Sequence, residues 1–497
     1  MNARLGPTPS RLIAGWTALS CLIVALGGIL AAPAADTLYV DNTRNCPGGP
    51  GTVPESAFCR VDSALNSFIG GANRVIALMG QGKSYTEQIK VSPSDSGSVA
   101  QPLVLFARGA VTIEGADTTT AWTARPADSA SIVILWAAPV LAAPSFACRQ
   151  VIMRHSVTNI DRRYPELDTV LTAIPVGKSH YDAAKLTVFV NFDEPSRNYA
   201  GALGHLCIRK PIRILASNVV VDGFTVRRAQ FDAISAGDSA VLGDPSYTGG
   251  VSIGNCTVQE SGVSGIVFAR ALRSNIRNNI CRDNTKQGIF LKSAMVESCT
   301  VVGNTCYSND DHSAEHSGSN GIRVGNFTGP TSGNHVIEGN RTYDNEDTGI
   351  DVQYSNNNVL RYNQSWLNHD HGFDHLKSSG TRHVGDLAYA NDRTGFSVEK
   401  DAPNTEVRNC VSSDNGRAAH GQDYELEVIG GARATFAGDY NVLWRPSRSS
   451  SVCGNWNENQ DSILVAWRTS DNQSVECDPR CTIDSTCFGT VPRFATA

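Results

Sequence analysis

The chain is expected to fold as an all-β solenoid of short stacked strands, and three observations predict it. Six Gly-(Ile/Phe) strand starts, Gly265-Ile266, Gly288-Ile289, Gly321-Ile322, Gly349-Ile350, Gly372-Phe373 and Gly395-Phe396, recur at gaps of 23, 33, 28, 23 and 23 residues. A period of this size means one supersecondary unit stacked on itself. Asn279, Asn304, Asn340, Asn363, Asp386 and Asn409 keep the same beat, and Asn284, Asn309, Asn345, Asn368 and Asn391 follow the first five at a distance of five residues. Asparagine tolerates the left-handed backbone of tight corners, and its amide pairs with the matching amide on the next coil. Within the strands, Ile266 and Phe268, Ile289 and Leu291, Ile322 and Val324, Ile350 and Val352, and Phe396 and Val398 are apolar at period two, which assigns them to the core.

The alternate positions are expected to face solvent. Next to the glycines they read Val267, Phe290, Arg323, Asp351, Asp374 and Ser397, and two positions on they read Lys292, Gly325, Gln353, Leu376 and Glu399. Leu376 breaks the polar pattern, so the register after Asp374 is left open. With 497 residues the chain is long enough for two or three ordinary domains, but a solenoid grows in one dimension and one elongated body is the simpler account. The 42 Lys and Arg against 48 Asp and Glu give a net charge of −6, and no basic stripe with interleaved aromatics argues for nucleic acid.

Taken in order, residues 1–35 read as a secretory signal: Arg4 and Arg11, an apolar run from Leu12 to Leu30, then Ala31-Ala32-Pro33-Ala34-Ala35. The protein is therefore expected outside the cytoplasm, extracellular or periplasmic, as a monomer with no membrane attachment after cleavage. Thirteen cysteines lie beyond that segment, and in an exported chain they read mostly as disulfides, with one left over. Residues 36–125 hold an N-terminal cap and the first coils. They carry a strand at Thr37 to Asp41, a helix from Cys59 to Ala72 that closes the open end, and strands at Arg74 to Leu78, Gln88 to Val91, Leu103 to Ala107 and Val111 to Gly115. Residues 126–210 are less regular, with strands at Ile132 to Trp136 and Leu186 to Phe192. Regular coils fill 211–430, the beat fades after Ile429, and 431–497 form a Cys-rich tail with Cys477, Cys481 and Cys487.

The opening Leu38-Tyr39-Val40-Asp41, the segments up to Gly115, Asn218 to Phe224, the Asn/Gly coils, and Ile463 to Trp467 followed by Asp478-Pro479 together resemble the secreted right-handed parallel β-helix proteins of the pectate lyase superfamily. The resemblance covers nearly the whole chain after the signal. It implies a right-handed parallel β-helix, a fold that hosts lyases, hydrolases, epimerases and phage tailspikes. His369-Asp370-His371-Gly372-Phe373-Asp374 is similar to the Asp-Asp-Gly-Phe-Asp calcium motif of polysaccharide lyases of family 9. His371 replaces the second acid, and Ser397 stands where that family has its lysine base. Gly349-Ile350-Asp351 and Asn391-Asp392-Arg393-Thr394-Gly395-Phe396 resemble alginate epimerase segments, with Val352 and Gln353 in place of Pro and His.

Asp347, Asp351, Asp370 and Asp374 hold equal positions on adjacent coils, roughly 4.8 Å apart along the stack. Four such carboxylates repel one another unless neutralised, and Ca2+ takes oxygen ligands with loose geometry. A calcium ion there would bind a substrate carboxylate and acidify the neighbouring C–H, as β-elimination requires. Lys377, Arg323 and His371 are the candidate catalytic residues: a lysine base with its pKa lowered by a neighbouring cation, an arginine clamp or base, and an acid or sugar contact. Arg393, Glu399, Lys400 and Lys292 are candidate substrate contacts. These residues point to Ca2+-assisted cleavage of an acidic, uronate-containing polysaccharide. Epimerisation, glycoside hydrolysis at a carboxylate pair, and polysaccharide binding without catalysis are the alternatives.

Overall fold

The computed structural model describes residues 37–44, 49–67, 74–126, 134–139, 150–154, 161–165, 174, 178–182, 187–192, 199–200, 202–237, 248–292, 295–311, 318–326, 332–417, 424–439, 441–444, 454–456 and 459–461. Three long sheets run the length of the solenoid. The first has 12 strands from Thr37–Val40 to Ala437–Asp439, the second 12 from Ile89–Val91 to Asn459–Asp461, and the third ten from Thr112–Glu114 to Val442–Trp444. Pairing between successive coils is parallel, as in Ile322–Val324 on Ile350–Gln353. The regular stacking does not end at Ile429, because Leu426–Val428 pairs in parallel with Gly454–Trp456. The signal segment, the tail beyond 461, and Cys46, Cys148, Cys453, Cys477, Cys481 and Cys487 lie outside the described residues.

The period-two pattern fills the interior as expected. Ile266, Phe268, Ile289, Leu291, Ile322, Val324, Ile350, Val352, Phe396 and Val398 all join one continuous buried core. Two amide ladders brace two of its corners. Asn279, Asn304, Asn340 and Asn363 each donate Nδ2 to the next side-chain Oδ1, ending on Asp386, at 2.9–3.0 Å. Asn284 to Asn415 do the same through Asn309, Asn345, Asn368 and Asn391 at 2.8–2.9 Å. The ladder asparagines do not themselves take the left-handed backbone. That falls on the preceding residue, with positive φ at Asn278, Gly303, Gly339, Tyr362 and Gly385. Asn409 belongs to this corner column, φ 54°, and Cys410 takes the ladder position instead.

The repeating glycine is a matter of space. At Gly288 an added Cβ would lie 2.7 Å from the carbonyl oxygen of Gly321 and 3.0 Å from Asn309 Nδ2, so glycine lets the amide ladder pass close to the strand start.

Two features differ from the sequence expectation. The helix, Val61–Ser67, starts two residues later than expected and buries Val61, Ala64 and Leu65, and residues 68–72 of the expected helix lie outside the described residues. Residues between Ala116 and Cys207 form two four-stranded antiparallel sheets, and Val151 and Leu206 from one and Val188 and Val190 from the other join Trp122 and Phe192 in a separate small core. The cysteines depart further: Cys256, Cys281, Cys299, Cys306 and Cys410 are free and buried, Cys207 is buried, and only Cys59 among the described residues is disulfide-bonded. Cys281 and Cys306 sit opposite each other in an inward column that continues with Thr342, Ser365 and Ala388. Small side chains are needed there, and cysteine serves as a small apolar filler.

Candidate functional site

The outer face of the second sheet carries the expected column in register: Val267, Phe290, Arg323, Asp351, Asp374, Ser397 and then Glu427. Gln353, Leu376 and Glu399 align beside it. Leu376 therefore keeps register, and the apolar break has a different origin, because His375 occupies the inward position between Val352 and Val398. The outward column is not open to solvent as the alternation suggested. Arg323 and Asp351 are each 2 % exposed and Ser397 is fully buried, whereas Asp374 is half-buried. The acids thus lie in a covered recess, where charge interactions are stronger than in water.

Arg323 organises one side of this recess. Its Nη1 lies 3.1 Å from Asp351 Oδ2, its Nη2 donates to Gln353 Oε1 at 2.8 Å, and its guanidinium sits 5.9 Å from the Phe290 ring centroid. Burial pushes the Asp351 carboxyl up, and the adjacent guanidinium opposes that push. No cation pairs with Asp374 among the described residues. Burial together with Asp351, Glu399, Asp370 and Asp347 drives it well above the ordinary carboxylate range.

Asp347 and Asp370 form the second pair of acids. Burial and the neighbouring Asp370 and Asp351 push Asp347 up to about 7. Asp347 accepts from the Gly318 amide at 2.6 Å, and Thr348 Oγ1 lies 3.4 Å from both carboxylates. Arg393 Nε approaches Asp370 at 3.1 Å, and His371 Nε2 lies 3.8 Å from the same acid. Several buried polar atoms around the recess have no hydrogen-bond partner: Asp351 Oδ1, Asp374 Oδ1, His371 Nδ1, and both amide atoms of Asn320. Such atoms are costly unless a ligand meets them. Asn320 was missed in the sequence, although it precedes Gly321 as His371 precedes Gly372.

The structure brings Arg323, His371 and the four aspartates together but separates the lysines from them. Lys377 and Lys400 occupy an exposed left-handed corner at φ 51° and 49°. The Lys377 ammonium donates to Tyr354 Oη at 2.8 Å, and that bond pushes its pKa up, the direction opposite to a lysine base. Lys292 stands on the coil before Arg323, and its charge acts on Asp232 and Lys210 on the side away from the aspartates. Glu399 accepts a hydrogen bond from Ser397 Oγ at 2.9 Å and edges the recess.

Two of the four proposed calcium ligands already face guanidinium groups. Among the described residues, the trio whose ligand oxygens lie within 4.8 Å of one another is Asp310, Asp311 and Glu346, not the four aspartates. That trio is engaged within the protein, with Lys286 on Asp311 and Ser319 Oγ on Glu346 at 2.6 Å.

Residues 312–440 match the family model described as "Right handed beta helix region". No curated protein sequence matches the chain. Among solved structures, one titled as the complex of XylC with xylose is 12 % identical, covers 86 % of each chain and has a TM-score of 0.51. A glycoside hydrolase is 13 % identical with a TM-score of 0.49, covering 91 % of this chain and 99 % of its own. The pectate lyase Pel9A is also 13 % identical, covering 91 % and 82 %, with a TM-score of 0.44. At 12 % identity the likeness to the XylC structure speaks for architecture alone. The chain has the right-handed parallel β-helix fold.

Proposed function

We propose that this chain is an exported, monomeric carbohydrate-active enzyme that cleaves a glycosidic bond in an acidic polysaccharide, with Asp374 as general acid and Asp351 as its ionised partner. The observation that carries the reading is the unequal environment of two register-adjacent carboxyls. Arg323 at 3.1 Å favours the charged form of Asp351, while burial and four acids favour the protonated form of Asp374. Paired carboxyls whose environments drive them apart are the acid and the base or nucleophile of glycoside hydrolysis. A strand spacing of roughly 4.8 Å is close to the separation of roughly 5–5.5 Å that retaining enzymes use. In this scheme Asp374 gives its proton to the leaving oxygen, Asp351 attacks the anomeric carbon, and water then releases the sugar. Arg323 holds Asp351 in place, and Asn320 and His371 offer free polar atoms to sugar hydroxyls.

A second reading, Ca2+-assisted β-elimination, is favoured by the crowding of Asp347 against Asp370 and Asp351. Asp347, Asp351, Asp370 and Asp374 would hold the ion, which would supply positive charge for a substrate carboxylate. Among the described residues no lysine stands in the recess to take the proton, which is why hydrolysis is the better reading.

Incubation with a panel of polysaccharides, with and without calcium, separates the two. Hydrolysis gives new reducing ends without the ultraviolet absorbance of an unsaturated uronate, and Asp374→Asn loses on the order of 10²–10⁴ of the rate. Unsaturated products that vanish with a chelator would establish elimination instead. Full activity in the Asp374→Asn protein would remove the acid–base assignment altogether.

A further inference from the structure

The first coils hold a cavity of about 590 Å3 far from the acidic recess. Its volume lies within the range of small-molecule sites. Three buried polar atoms of its lining lack hydrogen-bond partners: Asn42 Oδ1, Glu87 Oε2 and Arg209 Nη1. Each of these side chains is anchored by its other end. Asn42 Nδ2 donates to the Ser84 carbonyl at 2.9 Å, Glu87 Oε1 accepts from the Val61 amide at 3.0 Å, and Arg209 Nη2 lies 2.6 Å from Asp117 Oδ1. The free ends are therefore held in position and offer two acceptors and one charged donor to the same space.

Charge at this end of the solenoid favours an anion. Arg60 and Arg209 line the cavity paired with Asp62, Glu87 and Asp117, Lys83 lines it with no acid partner among the described residues, and burial pushes the Glu87 carboxyl up toward its neutral form. Arg60 Nε remains 3.8 Å from Glu87 Oε2 and 3.3 Å separates its Nη2 from Asp62. Next along the outward column come Lys90 and Arg213, with Lys210 near Arg213 and Asp232 as the acid facing it. The acidic recess stands further up the same sheet, six register steps from Ile89 through Ile212, Ile234, Ile266, Ile289 and Ile322 to Ile350. At the spacing of stacked strands this is about 29 Å.

We propose that this cavity is a second saccharide-binding site that takes a uronate-bearing sugar of a chain. Sugar hydroxyls donate to Asn42 Oδ1 and Glu87 Oε2, and the uronate carboxylate meets Arg209 Nη1 and the Lys83 ammonium at the mouth. The ligand class rests on the reading of the protein as polysaccharide-active, but the site needs none of the recess chemistry. A long oligosaccharide alone reaches both ends.

The test is calorimetric titration of the full chain with disaccharides of galacturonate, glucuronate and mannuronate. Their neutral counterparts and inorganic phosphate serve as controls. Three proteins are compared: the native chain, Asp351→Asn/Asp374→Asn, and Arg60→Ala/Lys83→Ala, with Arg209→Lys as a milder fourth. We expect a uronate disaccharide to bind the recess variant with native affinity and the Arg60→Ala/Lys83→Ala chain at least tenfold more weakly. Thermal melting checks that each variant folds. The proposal is overturned if no uronate disaccharide binds, if binding disappears with the recess aspartates and survives loss of the cavity cations, or if phosphate or the neutral disaccharide binds as tightly. Failure here leaves product formation at the recess untouched, so the two readings fall separately.

Discussion

Asp386→Asn isolates the energetic cost of one buried acid in the solenoid core. Asp386 stands where the asparagine ladder ends: its Oδ1 accepts from the Asn363 amide at 2.7 Å and from Asn363 Nδ2 at 2.9 Å. Its Oδ2 lies 2.8 Å from His383 Nδ1, and His383 Nε2 lies 2.5 Å from His375 Nε2. Both histidines are fully buried and Asp386 is 1 % exposed. Burial pushes Asp386 from 3.8 up to about 8 and His383 from 6.5 down to about 3, and it lowers His375 as well. Between about pH 3.8 and 6.5 the folded state binds an extra proton on Asp386 but fewer on the histidines, so these contributions oppose one another. From pH 6.5 to about 8 the histidines are neutral in both states, and Asp386 alone keeps a proton that the unfolded chain has lost. Stability therefore falls as pH rises through this window. One and a half pH units at about 1.36 kcal/mol each amount to roughly 2 kcal/mol. Asparagine keeps the Oδ1 acceptor, offers Nδ2 to His383 Nδ1, and does not titrate. Urea denaturation at pH 6.5 and 8.0 should show the native chain losing about 2 kcal/mol relative to Asp386→Asn. A difference below about 0.5 kcal/mol would refute the reasoning, as would large destabilisation of the variant at both pH values.

Three further substitutions probe the ladder, the corner and the recess. Asn340→Ala removes the acceptor of the Asn304 amide and Asn304 Nδ2, together with the donor to the Val301 carbonyl. It should cost roughly 3 kcal/mol, read as a lower urea midpoint; a loss under 1 kcal/mol would show that the ladder relaxes. Gly325 has φ 95°, and a Cβ there would lie 1.7 Å from the Gln353 carbonyl oxygen. Gly325→Ala should lower stability by at least about 2 kcal/mol and disturb the Gln353 partner of Arg323; an unchanged melting temperature would contradict this. Arg323→Met leaves Asp351 buried without its cation. Because Arg323 holds the Asp351 pKa down, its loss should move the acidic limb of the pH–activity profile to higher pH, and an unmoved limb would break the assigned partnership.

Much of the architecture was legible because stacking repeats one set of constraints. The Gly-Ile starts, the amide columns and the inward apolar pairs each recur at the coil period, and a parallel register follows once they are aligned. The column Arg323, Asp351, Asp374 followed from the same alignment. What the period does not encode is the covering of the outer face, so Asp351 and Ser397 appeared exposed when they are buried. Lys377 was misplaced for a local reason. Its left-handed backbone turns the side chain toward Tyr354, and no pattern in the strand announces that corner. The cysteines show a conflict between levels. Their number suggests disulfides once export is expected from the N-terminal segment, but Cys256, Cys281, Cys306 and Cys410 hold inward or ladder positions where volume decides the residue.

His375 was the overlooked signal, and it links core and site. The strand Phe373–Leu376 projects Asp374 outward and His375 inward, so the half-buried acid of the recess and the imidazole behind it share one peptide. Phe373 and Phe396 stack at 4.8 Å, with His383 edge-on to both at 5.3 Å. The coil bearing Asp374 is thus the coil where the core turns polar and the amide ladder passes to a carboxyl. An apolar residue at 375 would leave His383 Nε2 without its imidazole partner, and loss of His383 would leave Asp386 Oδ2 buried and unpaired. The histidine pair and Asp386 are therefore a single hydrogen-bonded unit, in which a replacement must keep the polar atom its neighbour meets, as asparagine does at 386. The rigidity of the strand that presents Asp374 depends on that unit as much as on the outward charges beside it.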